Sequence, residues 1–291
     1  MTTVRAPATS ANLGSGFDVF GVALSRPADV VRVSRAEETS IEIRGTGSEF
    51  IPTDPAKNTV GAVARSLDAP ARIEIDKGVR PSSGLGSSAA SSAAAALALN
   101  DLYDLRLSRE ELVPHAAEGE ALVSGAAHVD NVAPALLGGF TIATDRGVTR
   151  IGASIPFVVC LPDIVLSTRD ARRIVPESAG MDEIVNTIGR AATLTAGMCR
   201  DDPTLVGEGM EDGVVTPARA SLIEGYAGVR ERALDAGATG VTVSGAGPTV
   251  VAACFGHAKQ AVASAMLDGF AEAGVEARAF QTEVGRGAEL L

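Results

Sequence analysis

The chain has 291 residues, 46% of them hydrophobic, which supplies a sizeable core and suits two domains. Its net charge of −11, with no basic run to neutralise phosphates, excludes nucleic acid and anionic membranes as partners and points to small molecules. No run approaches the roughly 18 apolar residues that span a bilayer. The N-terminal stretch Met1-Thr2-Thr3-Val4-Arg5 lacks the apolar core of a signal peptide, so a cytoplasmic location is expected.

Cys160, Cys199 and Cys254 stand far apart without metal-ligand spacing and read as buried, reduced thiols. Lysine occurs only at positions 57, 77 and 259, beside 36 acidic residues and abundant alanine. That balance suits a salt-adapted proteome.

Residues 4–18 run from a short strand into a loop rich in Ser, Asn and Gly, and residues 19–24 are apolar again. Such a loop suits a binding surface carried between strands; a plain turn with Asn12 in a left-handed conformation is the alternative. Residues 30–34 and 40–44 alternate as strands do, a helix is expected from Asp54 through about Leu67, and residues 71–76 alternate again.

The densest signal follows at Pro81-Ser82-Ser83-Gly84-Leu85-Gly86-Ser87-Ser88-Ala89-Ala90-Ser91, between that strand and an alanine-rich helix reaching Asn100. Gly84 and Gly86 permit the backbone angles that turn N–H groups onto an anion, and a helix opening at Ser87 or Ser88 adds its positive dipole end. The paired serines offer hydroxyls to phosphate or metal. A Walker-type loop would need a lysine here, and the spacing is not that of a dinucleotide fingerprint.

Ser108 and Glu111 form a capping signature for a helix through about Gly119. In residues 118–134 Glu120 sits among apolar and small residues, where a carboxylate is costly unless paired or metal-bound. His128, Asp130 and Asn131 follow, just before Pro134 and the Gly138-Gly139 turn; His128 as a core histidine and Asp130 as a helix cap remain open. A second domain is expected from a boundary near residues 147–154. Arg169, Arg172 and Arg173 precede Pro176 in a polar turn, Arg219 stands in another, helices are expected over 181–199 and 222–236, and residues 240–253 read as strand, glycine turn and strand around Gly245 and Gly247.

With the loops at Asn12, Ser82 and Gly245 in order, the chain resembles the GHMP small-molecule kinases, which include galactokinase, homoserine kinase and mevalonate kinase. Residues 8–21 and 128–140 are similar to the homoserine kinase versions of two of these blocks. The resemblance implies an α+β two-domain fold: residues 1–150 as an ATP-binding domain like ribosomal protein S5 domain 2, and residues 151–291 as a ferredoxin-like α/β-plait domain. It implies ATP and Mg²⁺, with residues 81–91 on the phosphates, Ser88 and Glu120 on the metal, and the turn at Gly245 and Gly247 supporting nucleotide loop and substrate.

For L-homoserine it implies Arg172 and Arg219 on the carboxylate, Asp18 on the amine, and Asn12, His128, Asp130 and Asn131 on the hydroxyl, with Asp130, Asn131 and Ser88 as the catalytic set. Arg173 could exchange with Arg172. The product would be O-phospho-L-homoserine, in threonine biosynthesis, and the assembly a homodimer. A mevalonate or archaeal shikimate kinase is the alternative within the fold. A non-catalytic sensor would break the metal site, yet Ser88 and Glu120 are both present.

Overall fold

Two antiparallel strands joined by the Asn12 loop form the spine of the first sheet: β1 (Thr2–Ala11) and β2 (Phe20–Arg35), with a register shift between Pro7 and Thr9. The computed structural model describes residues 1–124 and 129–291. β4 (Ala71–Lys77) pairs with β2, and β3 (Ser40–Gly45) adds to β4 in parallel. β5 (Phe140–Thr144) also pairs with β2 and carries β6 (Gly147–Ile151). The last strand, β11 (Glu289–Leu290), returns to β1, completing seven strands.

Helices α2 (Ser87–Tyr103) and α4 (Val129–Leu137) pack against this sheet, and α1 (Thr59–Ser66) and α3 (Arg109–Ser124) pack on α2 from the other side. Every α2 residue over 89–99 is buried. A helix apolar all round must be enclosed, and alanine lets its neighbours close in on every side. α1 starts later than Asp54 because Asn58 is its cap, accepting from Val60 N–H at 3.0 Å. Asp54 instead opens the preceding turn, accepting from Ala56 N–H at 2.9 Å. Ser108 and Glu111 form the expected reciprocal cap on α3. That helix runs past Gly119, where a side chain would meet Ser92 Oγ of α2 at 2.8 Å, so this glycine serves close packing.

Between Ile151 and Pro156 the chain changes sheets. β7 (Pro156–Pro162), β8 (Ala238–Val243), β9 (Val250–Cys254) and β10 (Ala277–Glu283) form a four-stranded antiparallel sheet in the order β10-β7-β9-β8. α9 (Tyr226–Asp235) and α10 (Lys259–Glu272) pack against it. The connection from β7 to β8 holds α5 (Thr168–Arg173), α6 (Met181–Arg200), α7 (Pro203–Gly209) and α8 (Val215–Ala220). Helix α9 begins four residues later than the sequence suggests, and its N-cap is Gly225.

A shared core joins the sheets: Leu13, Phe20 and Phe140 pack with Phe157, Val159 and Leu194, and the Phe20 and Phe140 rings meet edge to face at 5.0 Å. Cys160 and Cys254 are buried, with thiols pushed up to about 12 and about 11 by burial. Cys199, expected inside, lies exposed on α6, and the chain has three free thiols. Among the described residues no helix is long and apolar enough to cross a membrane.

Candidate active site

A cleft opens above the shared core, bounded by the Asn12 loop, the loop between β4 and α2, the starts of α4 and α5, and the Gly245 turn. The run 81–91 divides between cleft and core. Pro81, Ser82, Ser83, Gly84, Gly86, Ser87, Ser88 and Ser91 line the cleft, whereas Leu85, Ala89 and Ala90 turn into the apolar cores. Gly86 is the N-cap of α2 at φ +61°, and the helix opens at Ser87, aiming its positive end into the cleft. A side chain at Gly86 would lie 2.0 Å from Thr9 Oγ1 and 2.8 Å from Asn131 Oδ1. The glycine is thus required by the loops behind the phosphate site as much as by the phosphate.

Most serine hydroxyls of this loop serve the protein itself. Ser87 donates to Val79 C=O at 2.7 Å, Ser83 accepts from Leu85 N–H at 3.3 Å, and Ser91 donates to Asp29 at 2.8 Å. Ser88 stands beside Glu120 and favours its ionised form.

Beneath the loop lies a group the motifs do not mark. Lys77 is buried and lines the cleft, and its ammonium has three acceptors: the Asp29 carboxylate, Ser87 C=O at 2.8 Å and Ser91 Oγ at 2.9 Å. Asp29 also accepts from Gly78 and Val79 N–H at 3.0 and 2.9 Å. Burial lowers the proton affinity of Lys77, and Asp29 opposes that shift. A buried pair bonded this fully fixes the base of the loop, since removing one partner strands the other charge. The sequence does hold its signal: one of three lysines falls on the core-facing phase of an alternating strand.

Two buried carboxylates face the serines. Glu120, on α3, is pushed up to about 7 by burial, with Ser88 opposing the shift. Asp130, in the first turn of α4, is pushed up to about 6 by burial and then by the charge of Asp18. Asn131 accepts from Thr9 Oγ1 at 2.8 Å and reaches Asp130 Oδ1 at 3.4 Å. A serine hydroxyl and a carboxylate beside a phosphate cradle are hard oxygen donors of the kind Mg²⁺ takes, so these residues fit that ion. His128 lies outside the described residues.

At the other end, Arg172 in the last turn of α5 donates from Nη1 and Nη2 to the two Asp18 oxygens at 2.8 and 2.5 Å. Arg219 does not stand in a polar turn: it is buried on α8 and donates to Gly245 C=O at 2.7 Å. Both guanidiniums lie over the Phe17 ring, 5.3 and 5.0 Å from its centroid, a stacking that offsets desolvation of Arg219. Asn12, left-handed at φ 70°, donates to Gly245 C=O at 3.0 Å and accepts from Asp18 N–H at 2.9 Å. Its amide thus positions Asp18 and the glycine turn. Arg173, the alternative to Arg172, does not line the cleft and faces Asp170 at 3.9 Å. Thr168 joins Arg172 at the wall, and Phe50, Ile51 and Pro52 give the lining an apolar stretch beside Lys57, Asn58 and Thr59; none of these has a motif signature.

Known proteins share this fold. The model of the GHMP kinases N terminal domain matches residues 55–139 and that of the GHMP kinases C terminal matches residues 194–272. The chain is 70% identical, over the whole of both chains, to homoserine kinases of Natronomonas pharaonis and Haloarcula marismortui, and its acidic, lysine-poor composition fits such salt-adapted archaeal relatives. Its structure superposes on the crystal structure of homoserine kinase from Cytophaga hutchinsonii with a TM-score of 0.91 at 36% identity, covering 100% of this chain and 97% of that one. With both domain models matched and full-length relatives this similar, the chain belongs to the homoserine kinases of the GHMP kinase family.

Proposed function

We propose that this chain transfers the γ-phosphoryl group of ATP to the terminal hydroxyl of L-homoserine by positioning and electrostatics, with the nucleotide on the α2 side of the cleft and the amino acid on the α5 and α8 side. One observation carries the reading: a helix-terminated anion cradle at 82–88 and an Asp18, Arg172, Arg219 charge cluster line the same cleft, with Asp130 and Asn131 also in its wall. Homoserine is a zwitterion. Its ammonium and carboxylate offer the same two charges that Asp18 and Arg172 offer each other, so both ends of the ligand find partners already assembled.

The apolar stretch at Phe50, Ile51 and Pro52 suits the base of the nucleotide, and the start of α2 suits its phosphates. Ser88 and Glu120 would hold Mg²⁺, which when bound neutralises charge on the phosphate oxygens. Phosphoryl transfer through a loose transition state asks little deprotonation of the attacking hydroxyl, so Asn131 and Asp130 orient it. Binding energy from Arg172 and Arg219, at the unreactive end of the substrate, sets that hydroxyl against the γ-phosphate. The molecule works in the cytoplasm as a pair of chains.

The test is ADP release coupled to a reporter, with L-homoserine, mevalonate and shikimate as acceptors. Homoserine should support turnover and the others should not. Release driven by mevalonate or shikimate, with homoserine inert, contradicts the reading.

A further inference from the structure

The Asn12 loop does not hold its own shape. Asn12, Leu13 and Gly14 follow one another in the left-handed region, at φ 70°, 48° and 80°, and Asp18 joins them at 57°. A leucine in that region is disfavoured by its own Cβ and persists only where its surroundings fix it. Those surroundings lie in the second half of the chain. Leu13 packs in the same core as Met210, a side chain at Gly14 would overlap the Met210 carbonyl, and the buried Ser15 donates from Oγ to Gly209 C=O at 2.6 Å. Gly209 closes α7, so its carbonyl has no later turn of helix to accept from, and the serine supplies the missing donor. From there the loop closes on itself. Gly16 N–H donates to Asn12 C=O at 3.0 Å, and Asp18 N–H to Asn12 Oδ1 at 2.9 Å.

Helix α7 is a fixed point. It lies backbone to backbone against β8 and α6, since a side chain at Gly207 would overlap Thr239 C=O and one at Gly209 would overlap the backbone of Leu194. Just past Gly209, Asp212 fixes the next helix. Its carboxylate accepts from Val214 N–H at 3.0 Å and from Val215 and Thr216 N–H at 3.0 and 2.5 Å. About two turns on, α8 presents Arg219 to Gly245 C=O and to the Phe17 ring. One short stretch, residues 209–212, thus supports both Asp18 and Arg219. The nucleotide end has its own support in Lys77 and Asp29 beneath α2.

We propose that the end of α7 sets the homoserine end of the cleft, with Ser15 acting through Asp18 and Asp212 acting through Arg219 as positioning residues for the two charges that receive the zwitterion. Neither lines the cleft. The inference rests on the homoserine reading above and adds the residues that hold its charges apart.

Steady-state kinetics of Ser15→Ala, Asp212→Ala and Asp212→Asn, with homoserine and then ATP varied, test it beside thermal melts. Ser15→Ala and Asp212→Ala should each raise the homoserine KM about 5- to 50-fold, while the ATP KM stays within about twofold and kcat falls less than the homoserine KM rises. Asp212→Asn keeps an amide oxygen for the same N–H groups and should recover most of the loss. Ser15→Ala with the wild-type homoserine KM, or with both KM values raised alike, overturns the role of Ser15. Asp212→Ala with the wild-type homoserine KM, or Asp212→Asn no better than Asp212→Ala, overturns that of Asp212. Wild type that does not turn over homoserine at all sinks the reading beneath the proposal, and the proposal with it.

Discussion

Arg172 holds Asp18 by both arms of its guanidinium, at 2.8 and 2.5 Å, across 154 residues of chain. The pair closes one end of the cleft and ties the Asn12 loop to α5. It is open to water, with Arg172 47% and Asp18 36% exposed, so its contribution to stability is about 0 to 1 kcal/mol. Its value therefore lies in what it presents to a ligand.

Arg172→Lys keeps the charge and loses the planar fork. Homoserine kcat/KM should fall roughly 5- to 150-fold, about 1 to 3 kcal/mol of lost transition-state binding, with little change in melting temperature. Steady-state kinetics beside thermal melts separate the two. A melting loss large enough to explain the kinetic one would make the pair structural.

Asp130 is buried, and its carboxyl is pushed up to about 6 from 3.8. A folded-state value above the unfolded one means stability present at low pH and lost as pH rises through about 6. Asp130→Asn removes that titration. In ligand-free protein the variant should gain on wild type between about pH 4 and 7, by on the order of 3 kcal/mol at the upper end. Denaturant midpoints across that range read the gain, and a constant difference contradicts it. The variant should also keep measurable turnover, losing no more than the 10²- to 10⁴-fold credited to a general base. A larger fall in kcat at unchanged homoserine affinity would make Asp130 a base.

Glu120 tests the metal assignment. Glu120→Gln preserves the shape of a buried side chain and removes the carboxylate charge proposed to hold Mg²⁺, so the fold should persist while Mg²⁺-dependent turnover is lost. Titrating Mg²⁺ with the melting temperature as control decides it. Turnover near wild type at the same Mg²⁺ concentration would put the metal elsewhere.

Gly86→Val should abolish ATP binding. Its Cβ strikes Thr9 Oγ1 and Asn131 Oδ1, so the Thr9 to Asn131 hydrogen bond breaks and the α2 N-terminus shifts. The same geometry predicts that homoserine binding suffers too, because Asn131 moves. Nucleotide affinity unchanged in calorimetry would contradict it.

Much of this was legible in sequence because the signals are local. The alternation of residues 71–76, the Ser108 cap and the alanine run after Gly86 each carry their own geometry, and the glycine loops carry their chemistry. The division of residues 81–91 is different: Leu85, Ala89 and Ala90 face cores assembled from other parts of the chain. Arg219 reads as a surface arginine until Phe17 and Gly245 come to it from far along the sequence. Thr168 has no motif, and Lys77 is marked only by its rarity and its inward phase on β4; the fold brings both to the cleft wall. Helix α10 carries a clear buried spacing, Val262, Met266 and Phe270, but no chemistry, so motifs pass over it.

The most direct test of the account compares L-homoserine with its carboxamide analogue, in which the carboxylate is neutral. Among the described residues Arg172 and Arg219 are the two guanidiniums lining the cleft, and both stack on Phe17, so wild type should lose most of its kcat/KM on the analogue. The double variant Arg172→Ala, Arg219→Ala should be poor with both substrates and hardly distinguish them. A double variant that prefers homoserine over the carboxamide as strongly as wild type would place the carboxylate elsewhere and contradict the account.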